Sequence, residues 1–347
     1  MRLVVNNIAA SSGGAMTVLK DFYYSVCEND KQNEWIFLLS DKYFEETENV
    51  KIISLPEIKK SVFKKLCFDF FTGKSFIKKL KPDVVFSMQN IITFGLNVPQ
   101  VVYVHQPLPF QNIKSFSIFK SYERKMAIKQ FLVGGIIKAS IKRANKIIVQ
   151  TDWMKEAVCE ICNIEKDRVV KILPNVKNLS QYIDKGSYDS KKFFYPTSEV
   201  IYKNNKLLLE TGKLLNKDNV KFEVDLTIDS GETVDGVNYI GRIPYEEVIN
   251  KYNTATLVFP SYIETFGYPL AEARQMGAIV LAADTKFARE LLAGYENAYY
   301  FNYDDSNALA LLMKQVVCEE IKRKTDNIST FDDKDSWIDV IKEVTKL

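Results

Sequence analysis

At 347 residues the chain is longer than one hydrophobic core usually sustains, which predicts two domains. Its 46% hydrophobic, 12% aromatic and 26% charged residues contain no low-complexity tract and exclude a disordered chain. A formal net charge of +3 hides an asymmetry: residues 1–177 carry 27 Lys/Arg against 17 Asp/Glu, and the rest carry 20 against 27, so the first half suits an anionic partner.

No run of 18 apolar residues occurs, and the longest apolar stretch, "FLVGGIIKAS", is too short to span a bilayer. The start, "MRLVVNNIAASSGG", breaks after a strand's length into a polar turn, unlike a signal sequence. A cytosolic protein is expected, with peripheral attachment to the cytosolic membrane face left open. The five cysteines, an odd number, fit a reducing compartment. Cys159 and Cys162 have C-x-x-C spacing inside the helix-like "WMKEAVCEICNI", without a second pair and with one His in the chain, so helix packing is expected over zinc or redox chemistry.

In chain order the first half gives "RLVVNNI", a helix over 17–29, "WIFLLS", "KIISL", a basic segment at 59–80, "DVVFSM", "QVVYVH", helices across 116–144, "KIIVQ", the helix "WMKEAVCEIC" and "VVKILPNV". The second half repeats the alternation with "KKFFYP", a helix over 203–216, "KFEVDLTI", "VNYIGRI", a helix over 245–252, "ATLVFP", a helix after Pro269, "AIVLAAD" and "AYYFN". This α/β alternation predicts two doubly wound, largely parallel sheets, in domains 1–177 and 178–334 joined near 174–192. A last helix at 335–346 is free to pack on the first domain. Ligands are expected beyond the C-terminal ends of the strands.

Several strand ends carry chemistry. Gly13 and Gly14 suit a turn that lets backbone approach a ligand and precedes a helix start able to hold phosphate, or a purely structural turn. His105 follows "QVVYV" and precedes a proline-containing loop, a ligand-contacting position or that of a structural histidine. Lys203 sits near a helix N-terminus, where a bound diphosphate would offset the unfavourable dipole; the alternative is a solvated lysine. Gly241, Arg242 and Ile243 occupy a strand-to-helix loop able to line a base pocket.

"PSYIETFGYPLAEARQMGAIV" carries the strongest internal logic. A buried strand ends before it, Gly267 and Pro269 turn the chain into a helix, and Gly277 ends that helix. Backbone N–H groups from Thr265 to Tyr268 (Thr265, Phe266, Gly267, Tyr268) are placed for a diphosphate, with Glu272 accepting from ribose hydroxyls and Glu264 from sugar hydroxyls. A proton-transfer pair is not required by the spacing.

This segment and its flanks resemble glycosyltransferase family 4, retaining enzymes of the GT-B fold, through the E-x7-E signature Pro260, Ser261, Glu264, Phe266, Gly267, Pro269 and Glu272. The resemblance extends through Gly13-Gly14, His105, "IIVQTDWMKEAV", "KILPNV" and Lys203. It implies two Rossmann-like domains facing across a donor-binding cleft, with catalytic roles for His105, against the transferred sugar, and Glu264, holding it. It implies that Gly13 and Gly14 face diphosphate and acceptor, that Lys203 binds diphosphate, and that Glu272 holds the ribose. The family's usual Gly-Arg pair is replaced by Pro196-Thr197, leaving Ser198 or Arg242 to substitute for the arginine. The resemblance further implies a metal-independent enzyme without a cofactor, moving a hexose or deoxyhexose from a GDP- or UDP-sugar, a mannose-like sugar being favoured.

The basic, aromatic-interleaved segments 59–81 and 120–146 fit either solvated helix faces or contact with an anionic membrane surface. A polyprenyl-diphosphate-linked saccharide acceptor, as in O-antigen or capsule assembly, would account for both charge and apolarity. Nucleic acid is not expected, since no stacking platform or motif is present. A UDP-sugar epimerase of the same fold and a non-catalytic binding subunit are the competing readings. The oligomeric state is not readable from the sequence.

Overall fold

The computed structural model describes residues 1–11, 13–184, 188–324 and 336–347, and the chain forms two compact units. Met1–Asn175 and the C-terminal helix make up the first, and the second begins at Val176. Residues 185–187 of the predicted linker, residue 334 at the end of the predicted second domain and residue 335 of the predicted last helix lie outside the described residues.

In the first unit seven strands form one sheet: β1 (Arg2–Asn6), β2 (Glu34–Leu39), β3 (Val50–Ser54), β4 (Val84–Ser87), β5 (Gln100–Val104), β6 (Lys146–Val149) and β7 (Val169–Lys171). The order is β3-β2-β1-β4-β5-β6-β7 and every described pairing is parallel, with Leu3 opposite both Trp35 and Val84. Near-continuous apolar strands such as "QVVYV", buried at all five positions, are what a sheet covered on both faces requires. Around it lie α1 (Gly13–Asn29), α2 (Pro56–Lys59), α3 (Val62–Cys67), α4 (Gly73–Lys79), α5 (Arg124–Ile128), α6 (Gly134–Arg143) and α7 (Asp152–Cys162). Both basic segments are broken by π-helical turns, Phe68–Thr72 and Lys129–Val133, and 116–123 is not α-helical, contrary to the sequence expectation.

The second unit's sheet has β8 (Lys192–Tyr195), β9 (Glu223–Leu226), β10 (Val237–Tyr239), β11 (Thr256–Phe259), β12 (Val280–Ala283) and β13 (Ala298–Phe301), ordered β10-β9-β8-β11-β12-β13 and parallel. Its helices are α8 (Asn205–Lys217), α9 (Tyr245–Thr254), α10 (Tyr268–Gln275), α11 (Lys286–Leu291) and α12 (Ser306–Val317).

The C-terminal helix α13 (Ser336–Thr345) belongs to the first unit's core. Trp337 meets Phe22 edge-on at 5.3 Å and Tyr103 at 5.6 Å, while Val340, Ile341 and Val344 are buried beside them.

Strand order fixes where each unit can bind. In the first, the chain runs outward from β1 to β3 and resumes at β4 on the other side of β1; in the second, it runs from β8 to β10 and resumes at β11 beside β8. Connections diverge at these two reversals, opening a crevice beyond the strand ends.

Candidate functional site

In the second unit the polar side chains gather at the β8/β11 reversal. From the buried Tyr195 the chain passes through Pro196–Val200 into a 3₁₀ turn, Ile201–Lys203. Asn204 then joins it to α8 in the left-handed conformation (φ 61°), its amide donating to the carbonyls of Pro260 (3.3 Å) and Tyr303 (2.7 Å). Asparagine tolerates this geometry better than most residues. Lys203 therefore precedes α8 instead of lying in its first turn, and its carbonyl accepts the Tyr195 hydroxyl at 2.7 Å.

From the neighbouring strand, β11, the loop 260–267 supplies Glu264. Its Oε1 is 2.5 Å from Lys203 Nζ and accepts the Ser261 hydroxyl at 2.7 Å. The two side chains, 61 positions apart in sequence, keep 20% and 16% of their surface exposed, so the pair is reachable by a ligand yet shielded from bulk water. Tyr202 beside it has its hydroxyl pushed up to about 12, by burial first and then by the Glu264 charge.

Gly267, at φ 93°, is the N-cap of α10, and no side chain caps this end. A left-handed residue is needed there to turn the loop into the helix, which explains the glycine. Phe266 is buried, Thr265 half-buried and Tyr268 exposed, and the helix stops at Gln275 ahead of Gly277 (φ 67°). The positive end of a helix thus follows three residues after the carboxylate of a lysine-carboxylate pair, an arrangement suited to an anion bearing hydroxyl groups.

Glu272, one turn into α10, is buried. Its oxygens accept hydroxyl hydrogens from Tyr245 (3.1 Å) and Tyr252 (3.0 Å), two turns apart on α9. Burial pushes its carboxyl up, the two tyrosine bonds and Lys177 opposing. A carboxylate has about four lone-pair sites, so two tyrosines leave it capacity for ligand hydroxyls.

Ser198, Arg242 and Ile243 come together around a pocket of about 500 Å³, with Glu199 and Asp229 also on its wall. Reciprocal bonds fix one side: the Thr197 N–H donates to Thr227 Oγ1 (2.7 Å), whose hydroxyl donates to the Thr197 carbonyl (3.0 Å). Gly241 takes φ 64°, where a Cβ would also lie 3.0 Å from Asp229 Oδ1. Lys203 does not line this pocket; it faces Glu264.

In the first unit His105 follows β5. Its backbone N–H donates to Asn90 Oδ1 (2.7 Å), and the same amide's nitrogen lies 3.2 Å from the ring Nε2. With Asn90 so oriented, Nε2 accepts and the ring proton sits on Nδ1. Burial pushes the imidazole down to about 4, so it is neutral at physiological pH. Asn90, left-handed at φ 65° beyond β4, was missed by sequence reasoning; the dipeptide "QN" after a strand was the one available signal.

Gly13 and Gly14 form the start of a helix instead of the turn expected before it. Both are helical, the first residues of α1, and Gly14 is not among the positive-φ glycines; a Cβ there would meet nothing within 4 Å. The preceding bend lies at Ile8–Ala9, where Gln89 Oε1 accepts the Ala9 N–H at 3.3 Å. Gln89 is tied in turn to the buried Asp69 (3.1 Å), paired with Lys65 at 2.8 Å. Cys159 and Cys162 are buried on α7, and burial pushes both thiols up. Among the described residues, no three His, Cys, Asp or Glu side chains are grouped to hold a metal, and no helix is long and apolar enough to cross a membrane.

Two parallel, doubly wound sheets with polar loops at their strand ends constitute the GT-B glycosyltransferase fold. The chain is similar in structure to WaaG, a glycosyltransferase involved in lipopolysaccharide biosynthesis (TM-score 0.68, 12% identity, 99% of each chain). It is also similar to HepE of Anabaena in complex with UDP-glucose (TM-score 0.67, 14% identity, all of both chains). In sequence it is 23% identical to the O-antigen chain mannosyltransferase RfbU of Salmonella typhimurium LT2, over 71% of this chain and 70% of that one. Residues 186–328, most of the second unit, match the family described as glycosyl transferases group 1.

Proposed function

We propose that the protein is a retaining hexosyltransferase that moves a mannose-like sugar from a nucleoside-diphosphate donor to a hydroxyl of a lipid-linked oligosaccharide, in O-antigen or similar polysaccharide assembly at the cytoplasmic membrane face. The observation that carries this reading is the Lys203–Glu264–Ser261 cluster leading into the uncapped N-terminus of α10. Lys203 and the helix end bind the diphosphate, Glu264 orients the sugar hydroxyls, and Glu272, steadied by Tyr245 and Tyr252, takes the ribose. In the transfer step the acceptor oxygen bonds to the anomeric carbon as the bond to the phosphate oxygen breaks on the same face. The acceptor proton passes to the departing phosphate. His105, neutral and held by Asn90, is the first unit's contribution to the transferred sugar. No metal or cofactor is needed in this scheme.

A GDP-linked donor is favoured by the pocket at Ser198 and Arg242. Guanine presents neighbouring N–H donors on one edge, and Glu199 and Asp229 on the wall supply acceptors for them. The mannosyltransferase name of the sequence relative points the same way, whereas HepE was solved with UDP-glucose. Incubating purified protein with a panel of GDP- and UDP-sugars and bacterial membrane lipid extract tests this: nucleotide release with a new glycosidic bond is expected, highest with a GDP-sugar. Sugar interconversion without acceptor would instead identify an epimerase.

A further inference from the structure

We propose that the segment Phe116–Val133 is a membrane-docking element whose occupant is a bilayer surface containing anionic phospholipid. Loops usually hide their large apolar side chains or hold few of them. Here Phe119 is 87% exposed, Leu132 68%, Tyr122 66% and Phe131 51%. With Ile118 and Ile128 several of these surround an almost wholly apolar trough of about 520 Å³. A contiguous patch of this kind marks an interaction surface.

The segment is pre-shaped, not floppy. Gln130, nearly buried, accepts the Phe116 N–H (2.9 Å) and donates to the Lys114 carbonyl (2.9 Å), while Gln111 Oε1 accepts from the N–H groups of Ile113 and Lys114. The π-helical turn Lys129–Val133 interrupts the α-helical course where Phe131 and Leu132 point outward.

Charge selects the partner. Between residues 101 and 150 there are nine Lys/Arg and one Asp/Glu. That one carboxylate, Glu123, is buried, accepts the Ser117 N–H at 2.8 Å and is held low by that bond and by Lys114 and Lys120. The exposed Lys120, Arg124, Lys125 and Lys129 therefore present cationic charge around apolar side chains, with no acid facing outward from this stretch. An apolar centre rimmed by lysines is complementary to acyl chains beneath a layer of anionic headgroups. In the other basic stretch Lys60 and Lys64 pair with Glu57, and Lys65 pairs with Asp69.

Docking here would bring the enzyme to a lipid-linked acceptor, but the inference rests on this surface alone and its test uses neither donor nor acceptor. The full chain is sedimented with phosphatidylcholine vesicles, with and without phosphatidylglycerol, alongside the double variant Phe119→Ser/Leu132→Ser. Both altered side chains are solvent-exposed, and circular dichroism and thermal unfolding check that the variant is folded. The expected result is binding to the anionic vesicles only, weakened by added salt, and reduced about 100-fold in the variant by loss of two inserted side chains. Equal binding by wild type and variant, or no binding by wild type, would overturn the proposal. So would concentration-dependent self-association that the variant abolishes, since the face would then be an interface between copies.

Discussion

Acid should weaken the first unit through His105. The unfolded imidazole titrates near 6.5, whereas burial holds the folded one near 4. A folded pKa below the unfolded value means that the unfolded chain takes up the proton first as pH falls. The neutral, half-buried ring therefore contributes its full stability above about 6.5 and loses it progressively down to about 4. Between pH 7.5 and 4.5 these values correspond to about 2.5 kcal/mol. Asp69 is also buried, and burial pushes its carboxyl up, so the measurement is a difference. Urea unfolding of wild type and His105→Gln, which cannot titrate, is followed at both pH values by a probe of the first unit. Wild type should lose about 2.5 kcal/mol more than the variant on acidification. A wild-type-minus-variant difference that does not change with pH would refute the claim that the ring is desolvated and neutral.

Three further outcomes follow from the second unit. Lys203→Ala should raise the Kd for GDP about 10- to 100-fold by calorimetry, the worth of a charge-assisted bond to phosphate, with Lys203→Arg recovering part of it. Tyr252→Phe leaves one oxygen of the buried Glu272 without its hydroxyl partner, and should cost about 1–3 kcal/mol in urea unfolding with a larger loss at neutral than at acid pH, because the bond favours the ionised carboxylate. Arg323 donates to the carbonyls of Gly277 (2.8 Å), Asn253 (2.7 Å) and Met276 (2.5 Å); Arg323→Leu should cost about 2–4 kcal/mol and lower the thermal midpoint, as three carbonyls lose their donor.

The fold was open to sequence reading because parallel strands buried on both faces must be apolar throughout, and runs such as "QVVYV" and "ATLVFP" have little else they can be. Gly267, Pro269 and Gly277 delimited α10 because each meets a conformational requirement that few residues satisfy. Contacts decided by tertiary geometry were hidden. Asn90 reaches His105 from the next strand over, and nothing local in "SMQN" shows that its side chain turns back to a residue 15 positions on. Tyr245 and Tyr252, seven apart on an amphipathic helix, carried a signal of a shared face but not of the carboxylate they meet. Gly13-Gly14 reads as a turn because glycine marks permissiveness, whereas both residues are helical, at the start of α1. The broken helices at 116–133 escaped because a π-helical turn has the same composition as the α-helix it interrupts.

The central claim is that the Lys203–Glu264 cluster holds a nucleoside-diphosphate sugar for transfer. Its most direct measurement is nucleotide release from a GDP-sugar, with and without lipid-linked acceptor, by wild type, Glu264→Ala and His105→Ala. The account predicts acceptor-dependent release in wild type and loss of it in both variants. Unchanged release in Glu264→Ala would contradict the account, and normal release in His105→Ala beside loss in Glu264→Ala would remove the role assigned to the first unit.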